Sequence, residues 1–253
     1  MTIEALLTTF VALTLIIVAR YFMIAGLFYW LLWKRPAEKV HARRLTRIEP
    51  AWKVVRNEIK WSIVSSTIYA VPGAIMLEAW KNGGTAIYAD VAEFGWVYLV
   101  ASVLIYLFIH DTYFYWTHRL MHRPKIYKIF HRVHHESKQP TPWAAFSFHP
   151  YESIVGAIII PVMVFIIPIH VGAVLFLLVF MTICSVINHT GFEIFPDPVM
   201  RGFLGRHFIT AAHHNLHHTK FRCNYALYFR FWDKVMKTDV FEEAYEFLLT
   251  QVF

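Results

Sequence analysis

Three groups of closely spaced histidines carry the strongest chemical signal in this chain. Their members are His118 and His122, then His131, His134 and His135, and finally His214, His217 and His218. Side chains three or four residues apart lie on one face of a helix, so each group presents a stripe of imidazoles. Neutral imidazole binds iron, zinc and copper. Because a single four-coordinate zinc would need only half of these side chains, the pattern favours two metal ions.

A carboxylate precedes the first group on the same predicted helix face. Asp111, Tyr115, His118 and His122 lie within about 60° of one another around a helix. A carboxylate near a metal-binding imidazole can accept its second N–H and fix its tautomer. We therefore expect Asp111 to orient a metal-binding histidine, with an acid that pairs with an interfacial arginine as the alternative.

The composition indicates a membrane protein. Hydrophobic residues make up 57% of the 253 residues and charged residues 16%, with a mean hydropathy of +0.45, whereas a soluble domain has roughly 25% charged residues. In a soluble protein the net charge of +7 would suggest a nucleic acid partner. Two cysteines, Cys184 and Cys223, are too few for a disulfide framework or a cysteine-type zinc site.

The hydropathy pattern predicts an all-α polytopic membrane protein, since about 20 apolar residues in a helix cross a ~30 Å bilayer core. Three spans are predicted, from Ile3 to Trp33, from Trp61 to Ala79 and from Phe94 to about Trp116. The shorter apolar segments 154–167 and 171–187 predict a helical hairpin that crosses or re-enters the membrane. We expect one domain, 1–253, with the first two spans in 1–93 and a histidine-rich catalytic region in 94–253.

The basic residues predict the orientation of these spans. With this number of crossings, all 24 Lys and Arg residues except Arg20 and Lys81 lie on the same side of the membrane as the histidines. Positively charged loops face the cytoplasm. The sequence therefore predicts a cytoplasmic histidine-rich helical cap, a cytoplasmic C-terminus and an external or lumenal N-terminus. This orientation explains the positive charge without any nucleic acid partner.

The order and spacing of the motifs resemble the fatty acid hydroxylase and sterol desaturase superfamily of membrane-bound di-iron oxidases. The similar stretches begin at His110-Asp-Thr-Tyr, continue through His131-Arg-Val-His-His, Asn188-His-Thr-Gly and His213-His-Asn-Leu-His-His, and end at Phe231-Trp-Asp. Within this superfamily, Pro140-Thr-Pro-Trp and Phe148-His-Pro are most similar to sterol C5-desaturases.

The resemblance implies that nine histidines bind two iron ions, which zinc can replace in isolated protein. These are His118, His122, His131, His134, His135, His189, His214, His217 and His218. Some members of the superfamily have a further histidine four residues before the position of His189, where this chain has Ser185. His213 and His149 are therefore candidates for an additional ligand or for side chains that support the ligands.

The resemblance also implies an enzyme that uses O2 to desaturate or hydroxylate a C–H bond of a membrane lipid, with a sterol-type substrate. A carotenoid, fatty acyl or alkylglycerol hydroxylase is the alternative among enzymes, and a metal transporter or sensor is the alternative outside them. Electrons are expected from a separate ferredoxin or cytochrome b5-like protein with its reductase.

Overall fold

The computed structural model describes residues 2–35, 37–46, 48–240, 242, 243 and 246. Met1 and Phe253, the chain ends whose sides of the membrane the sequence predicts, lie outside the described residues. The helices are α1 (Ile3–Tyr29, continued by a π-helical turn, Trp30–Lys34), α2 (Glu38–His41), α3 (Trp52–Lys81), α4 (Gly95–Met121), α5 (Pro124–Phe130), α6 (Arg132–His135), α7 (Pro150–Val164), α8 (Val171–Asn188), α9 (Asp197–Arg201), α10 (Phe203–His207), α11 (Ala211–Lys220) and α12 (Phe231–Val235). Two 3-10 turns, Val91–Glu93 and Pro142–Phe146, and two short strands, β1 (Ile87–Tyr88) and β2 (Ile169–His170), accompany them.

Four of these helices are long and apolar enough to cross a membrane, namely α1 with its π-helical turn, α3, α4 and α8. The three predicted spans are therefore present as helices, and the second half of the predicted hairpin is a fourth. The helix α3 begins at Trp52 rather than Trp61, because it continues through a polar stretch containing Lys53, Arg56 and Lys60. Hydropathy detects the apolar part of a helix and not its polar extension.

The helices α7 and α8 form the predicted hairpin, and α7, with 15 residues, is shorter than the roughly 20 residues of a full crossing. At the hairpin tip, β2 pairs in parallel with β1 in the connection between α3 and α4. This two-residue pairing and two isolated β-bridges, Arg44–Phe192 and Phe208–Phe229, depart from the predicted all-α fold. Thr9 donates a hydrogen bond of 2.6 Å to Glu78, which joins α1 to the same end. The hairpin tip, the α3–α4 connection and the start of α1 therefore share one end, as the span count predicts.

Hydroxyl groups join the helices where the membrane part meets the segment before α7. Ser65 Oγ of α3 lies 2.8 Å from Ser153 Oγ of α7. Ser62 of α3 and Tyr21 of α1 both donate to the carbonyl oxygen of Trp143, at 3.0 and 2.8 Å. Small hydroxyl side chains allow membrane helices to approach closely and to hydrogen-bond across their interface. The chain before α7 is thereby fixed against α1 and α3.

The nine histidines that the resemblance implies as ligands lie at the other end of the long helices, where α4 and α8 end and the short helices α5, α6 and α11 pack together. Residues 211–218 of α11 are all buried, although half of them are histidines. Burial of so polar a helix costs free energy unless its polar groups find partners inside the protein. Several of those partners are other histidines, described next.

Candidate metal centre

Nine histidine side chains lie in two adjacent groups. The five-histidine group contains His118, His122, His131, His135 and His217, and the four-histidine group contains His134, His189, His214 and His218. Within each group, one ring nitrogen of every member lies within 4.8 Å of the corresponding nitrogens of the others. The two groups are neighbours, since the ring centres of His135 and His218 are 4.6 Å apart. The structure thus brings together the nine positions that the resemblance implies as ligands.

Four chain segments supply these side chains. The end of α4 carries His118 and His122, the chain at α6 carries His131, His134 and His135, the end of α8 carries His189, and α11 carries the remaining three. A capping box fixes the start of α11, where the backbone N–H of Thr210 donates to Nδ1 of His213 at 3.3 Å. The helix ends at Lys220, and its C-cap residue, Phe221, has a left-handed φ of 66°. Defined ends set the rotation of α11 and thereby the direction of its histidines.

Hydrogen bonds at Nδ1 orient five of the nine rings. The acceptors are the backbone carbonyls of Tyr225 for His118 (2.6 Å), Cys223 for His217 (2.7 Å), Ser185 for His189 (2.7 Å) and Ser147 for His134 (3.3 Å), and the carboxylate of Glu152 for His131 (2.7 Å). Carbonyl and carboxylate oxygens accept, so Nδ1 carries the proton of each ring. In a neutral imidazole, Nε2 then keeps a free lone pair.

The spacing of the Nε2 atoms fits bound metal ions. Those of His118 and His131 are 2.9 Å apart, and those of His134 and His189 are 3.2 Å apart. Both nitrogens of each pair carry lone pairs, which repel at these distances unless a cation lies near both. Because imidazole nitrogen binds zinc at about 2.0–2.1 Å, two ligands of one ion at about 90–110° lie about 2.9–3.4 Å apart. Each group therefore has the donors and the spacing of one metal site.

Burial keeps these imidazoles in the neutral form that binds a metal. Eight of the nine are buried and His122 is half-buried. Loss of hydration lowers the pKa of His134, His214 and His218 well below its usual value, and lowers the pKa of His189 to about 4. Neighbouring histidines lower the pKa of the first three further, because adjacent positive rings repel each other. At neutral pH these rings are therefore neutral, and each keeps one ring nitrogen whose lone pair is available to a cation.

Asp111 has a different partner from the one that the sequence predicts. Its Oδ1 accepts the backbone N–H groups of Leu227 at 3.1 Å and Tyr228 at 2.7 Å. The Nδ1 atom of His118, on the same helix face, donates instead to the carbonyl oxygen of Tyr225. The carboxylate does not reach the ring because the chain at 225–228 lies between them. Asp111 supports the site by fixing this loop and not by contacting the imidazole.

A second carboxylate fixes the same loop. The two carboxylate oxygens of Asp233 accept the backbone N–H groups of Tyr225 and Ala226, each at 2.9 Å. The carbonyl groups of Cys223 and Tyr225 are thereby directed at two rings of the five-histidine group. Sequence analysis missed these carbonyls, since every residue has one and its direction depends on the folded loop.

Glu152 has the role that the sequence assigns to Asp111. Its Oε1 atom lies 2.7 Å from Nδ1 of His131, and both side chains are buried. The residue is in the first turn of α7, two residues after Pro150. Sequence analysis missed it, although one signal was present. An acidic residue at the start of an otherwise apolar membrane helix is costly unless it has a partner.

The other candidate residues lie outside both groups. His213 takes part in the capping box of α11, and Nδ1 of His149 accepts a backbone N–H in the first turn of α7, at 3.3 Å. Ser185 has two contacts, because its hydroxyl donates to Ala145 and its carbonyl accepts from His189. In the described residues the groups therefore contain five and four histidines, with His213 and His149 in helix-capping positions.

Comparisons with known proteins connect this site to characterised relatives. The chain is 35% identical over 192 residues to the Delta(7)-sterol 5(6)-desaturase ERG3B of Gibberella zeae, an alignment that covers 74% of this chain and 58% of that protein. It is 34% identical over 235 residues to the Delta(7)-sterol 5(6)-desaturase erg3C of Aspergillus fumigatus, covering 84% of this chain and 69% of that protein. It is 32% identical over 183 residues to the lathosterol oxidase of Rattus norvegicus, covering 72% and 60%.

The chain spans about three fifths of the length of ERG3B and of the rat lathosterol oxidase. No solved structure matches it. The sequence profile of the fatty acid hydroxylase family matches residues 103–238, a region that contains all nine histidines of the two groups. The family match and the similarity to its sterol-oxidising relatives agree with the histidine-lined site at the end of the membrane helices. The chain belongs to the fatty acid hydroxylase family.

Proposed function

We propose that this chain is a di-iron membrane oxidoreductase that uses O2 to oxidise a C–H bond of a lipid, with a sterol as the substrate class. One observation carries the proposal. Nine imidazoles form two buried groups, and within each group two Nε2 lone pairs face each other at 2.9 or 3.2 Å. Iron bound there supplies the oxidation of an unactivated C–H bond, which the side chains of a protein cannot perform by themselves.

The protein provides ligands, their orientation and protection from water. The Nδ1 hydrogen bonds of five rings hold their Nε2 atoms towards the centre of each group. Fixing the tautomer and direction of the ligands in this way strengthens metal binding. Burial of eight of the nine rings limits the access of water to the reacting lipid.

The substrate class follows from the relatives and from the membrane helices. Two relatives are named as sterol desaturases and a third as a lathosterol oxidase, and all three are 32–35% identical to this chain. Four helices are long and apolar enough to cross a membrane, and two of them, α4 and α8, end at the histidine groups, which supports a substrate dissolved in the bilayer. We propose desaturation of a sterol ring as the reaction, with hydroxylation as the outcome that product analysis would distinguish.

Electrons come, in this proposal, from a separate protein that docks on α5 and α6. Arg123, Lys125, Lys128 and Arg132 are exposed there. His122, the half-buried member of the five-histidine group, directly precedes Arg123. An acidic ferredoxin or cytochrome b5-like protein has the complementary charge for this surface. The same basic residues favour a cytoplasmic location for this end of the protein.

Lipid analysis of cells that express the chain tests this proposal. Compared with cells that lack it, we expect a lipid with one additional double bond or hydroxyl group. The variant His134→Ala should produce none, because it removes a member of the four-histidine group. The matched control is His207→Ala, an exposed histidine outside both groups, and it should retain the product. Unchanged lipids in cells that contain folded, metal-loaded protein would contradict the proposal.

A further inference from the structure

Four large apolar side chains on the short helices α10 and α12 are exposed, and together they form the α10–α12 surface. Phe203 and Leu204 of α10 are 69% and 46% exposed, and Phe231 and Val235 of α12 are 48% and 55% exposed. Phe231 and Val235 are four residues apart and lie on one face of their helix. Exposed apolar side chains grouped in this way are typical of surfaces that contact a protein or a membrane.

Hydrogen bonds join α10 to α12. The backbone N–H of Arg230, the residue before α12, donates to the carbonyl oxygen of His207 at 2.8 Å. Nη1 of the same arginine donates to the carbonyl oxygen of Gly205 at 2.7 Å. Nζ of Lys234 in α12 donates to the carbonyl oxygen of Arg206 in α10, also at 2.7 Å. The two helices therefore form one unit.

Two exposed tryptophans indicate which part of α4 lies in the membrane. Trp96 is 73% exposed and Trp116 is 44% exposed. They are 20 positions apart, which is about 30 Å along a helix and matches the ~30 Å core of a bilayer. Tryptophan is enriched at both membrane–water interfaces. This spacing places the residues between them among the acyl chains, with Trp116 at the interface nearer to the histidines.

The helix α12 contacts α4 between these two tryptophans. The ring centres of Phe231 and Phe108 are 5.6 Å apart. Phe108 is half-exposed and precedes Trp116 by eight residues, which is about 12 Å along a helix. Nε1 of Trp232 donates to Oγ1 of Thr112, at 2.8 Å. Phe231 therefore extends the lipid-facing surface of α4 within the acyl-chain region.

The helix α10 lies beside the same part of α4. Leu204 of α10 lines one cavity together with Leu104 and Leu107 of α4. Both of these α4 residues lie between Trp96 and Trp116 in the sequence. The apolar side chains of α10 are therefore within the depth of the acyl chains as well.

Basic side chains border the α10–α12 surface. Arg206 and Lys234 are exposed. The acids of the same segment do not offset them, because Asp233 is buried and Asp239 forms an ion pair with Arg230 at 2.6 Å. Long basic side chains reach the headgroups while neighbouring apolar side chains stay in the membrane. This combination fits the acyl chains and the phosphate groups of an anionic phospholipid.

We propose that α10 and α12 are immersed in the leaflet at the histidine end of the protein. Phe203, Leu204 and Phe231 lie among the acyl chains, and Arg206 and Lys234 contact the phosphate groups of anionic phospholipids. This surface binds the bilayer itself, and its role does not depend on the reaction proposed above.

The immersion connects the bilayer to the five-histidine group. Asp233 of α12 accepts the backbone N–H groups of Tyr225 and Ala226. The carbonyl oxygen of Tyr225 in turn accepts Nδ1–H of His118. The leaflet therefore contacts the helix that fixes the loop behind this ring.

Fluorescence quenching tests the immersion. The full chain, without Cys184 and Cys223, carries one dye on a cysteine introduced by Phe203→Cys or by Phe231→Cys. It is placed in nanodiscs of phosphatidylcholine and phosphatidylglycerol, with a single chain in each disc. A spin label on the lipid acyl chains should quench the dye at both positions, and iodide in the water should quench it at neither.

Two reference positions in the same chain calibrate the quenching. Leu104→Cys, at an exposed position of α4, should respond to the acyl-chain label. Lys128→Cys, at an exposed position of α5, should respond to iodide. If iodide quenches the dye at Phe203→Cys or Phe231→Cys as it does at Lys128→Cys, the helices are not immersed. Protection of either dye from both quenchers would mean that protein covers the surface, and it would also overturn the proposal.

Competition between lipids tests the role of the two cations. With the dye at Val235→Cys, brominated phosphatidylglycerol should be preferred as a quencher over brominated phosphatidylcholine about fivefold, the effect of about one basic residue near an anionic lipid. In the double variant Arg206→Gln and Lys234→Gln this preference should disappear.

The matched control for this double variant is Lys125→Gln and Lys128→Gln, which removes the same charge from α5 and should keep the preference. A preference that persists without the charges of Arg206 and Lys234 would overturn their assignment as the lipid-binding cations. Equal quenching by the two lipids in the chain that keeps both charges would overturn it as well.

Discussion

The carboxylate of Glu152 and the imidazole of His131 form a buried pair, with Oε1 2.7 Å from Nδ1. The two residues come from different helices, and no local motif contains both. Their hydrogen bond directs Nε2 of His131 towards Nε2 of His118, 2.9 Å away. A carboxylate behind a metal-binding imidazole fixes the ring and increases the basicity of the ligand. Glu152 is therefore expected to act on the metal through His131.

Replacing Glu152 tests this positioning role. In Glu152→Ala, the affinity of the five-histidine group for its metal should fall about 10- to 100-fold, because His131 loses its orientation. Glu152→Gln keeps an oxygen acceptor for Nδ1 and should lose less. The measurement is metal retention against a chelator, followed by metal analysis. The control Glu136→Ala removes a nearby exposed acid. Full metal retention by Glu152→Ala would refute the role.

Replacing Asp111 is predicted to lower the stability of the fold, because its carboxylate binds the loop at 225–228 and not a metal-binding imidazole. In Asp111→Ala, two buried backbone N–H groups lose their acceptor, at a cost of about 1.5–3 kcal/mol for a hydrogen bond to a charged group. The midpoint of thermal unfolding in detergent should fall. Glu93→Ala, an exposed acid before α4, provides the control. An unchanged midpoint in Asp111→Ala would show that the loop at 225–228 does not depend on this carboxylate.

The basic surface of α5 and α6 predicts how turnover depends on charge. In the double variant Lys125→Glu and Lys128→Glu, the rate with an acidic electron donor should fall about tenfold at low ionic strength, because attraction becomes repulsion. Added salt should reduce the difference between variant and wild type. The control is Lys53→Glu, at an exposed position in the first turn of α3. If the double variant and Lys53→Glu have equal rates at every salt concentration, the electron donor does not dock on α5 and α6.

The proposed orientation is tested by thiol labelling from the two sides of the membrane. Asn82 and Lys138 are exposed, whereas Asn224 is buried and unsuitable for labelling. In a chain without Cys184 and Cys223, a cysteine from Asn82→Cys should be labelled from outside and one from Lys138→Cys from the cytoplasm. Labelling of both from the same side would mean that the span count is wrong.

The spacing predicts helix faces that carry several histidines, because side chains three and four residues apart lie on one face, but it does not predict that His131 and His135 join one group and His134 the other. His134, His189, His214 and His218 come from three distant segments and still form one group, as the resemblance to the superfamily implies. The partners of the rings could not be predicted in this way. The acceptor for His118 is the backbone carbonyl of Tyr225. The direction of that carbonyl depends on the folded conformation of the loop.

The same limit explains the error at Asp111. Helical periodicity places its carboxylate on the buried face with Tyr115 and His118, and the structure buries all three. Periodicity describes one helix, however, and does not show which other segment reaches that face. The chain at 225–228 reaches that face, and the backbone N–H groups of Leu227 and Tyr228 donate to the carboxylate.

Metal analysis of wild-type protein, prepared without oxygen and shown to be folded, tests the central claim most directly. We expect two metal ions per chain, counted as the sum of iron and zinc, since imidazole binds both. The variants His217→Ala and His214→Ala, each removing a ligand from a different group, should each move the content towards one. The control His207→Ala should retain two. One metal ion or none in the folded wild-type protein would show that the two histidine groups are not two metal sites.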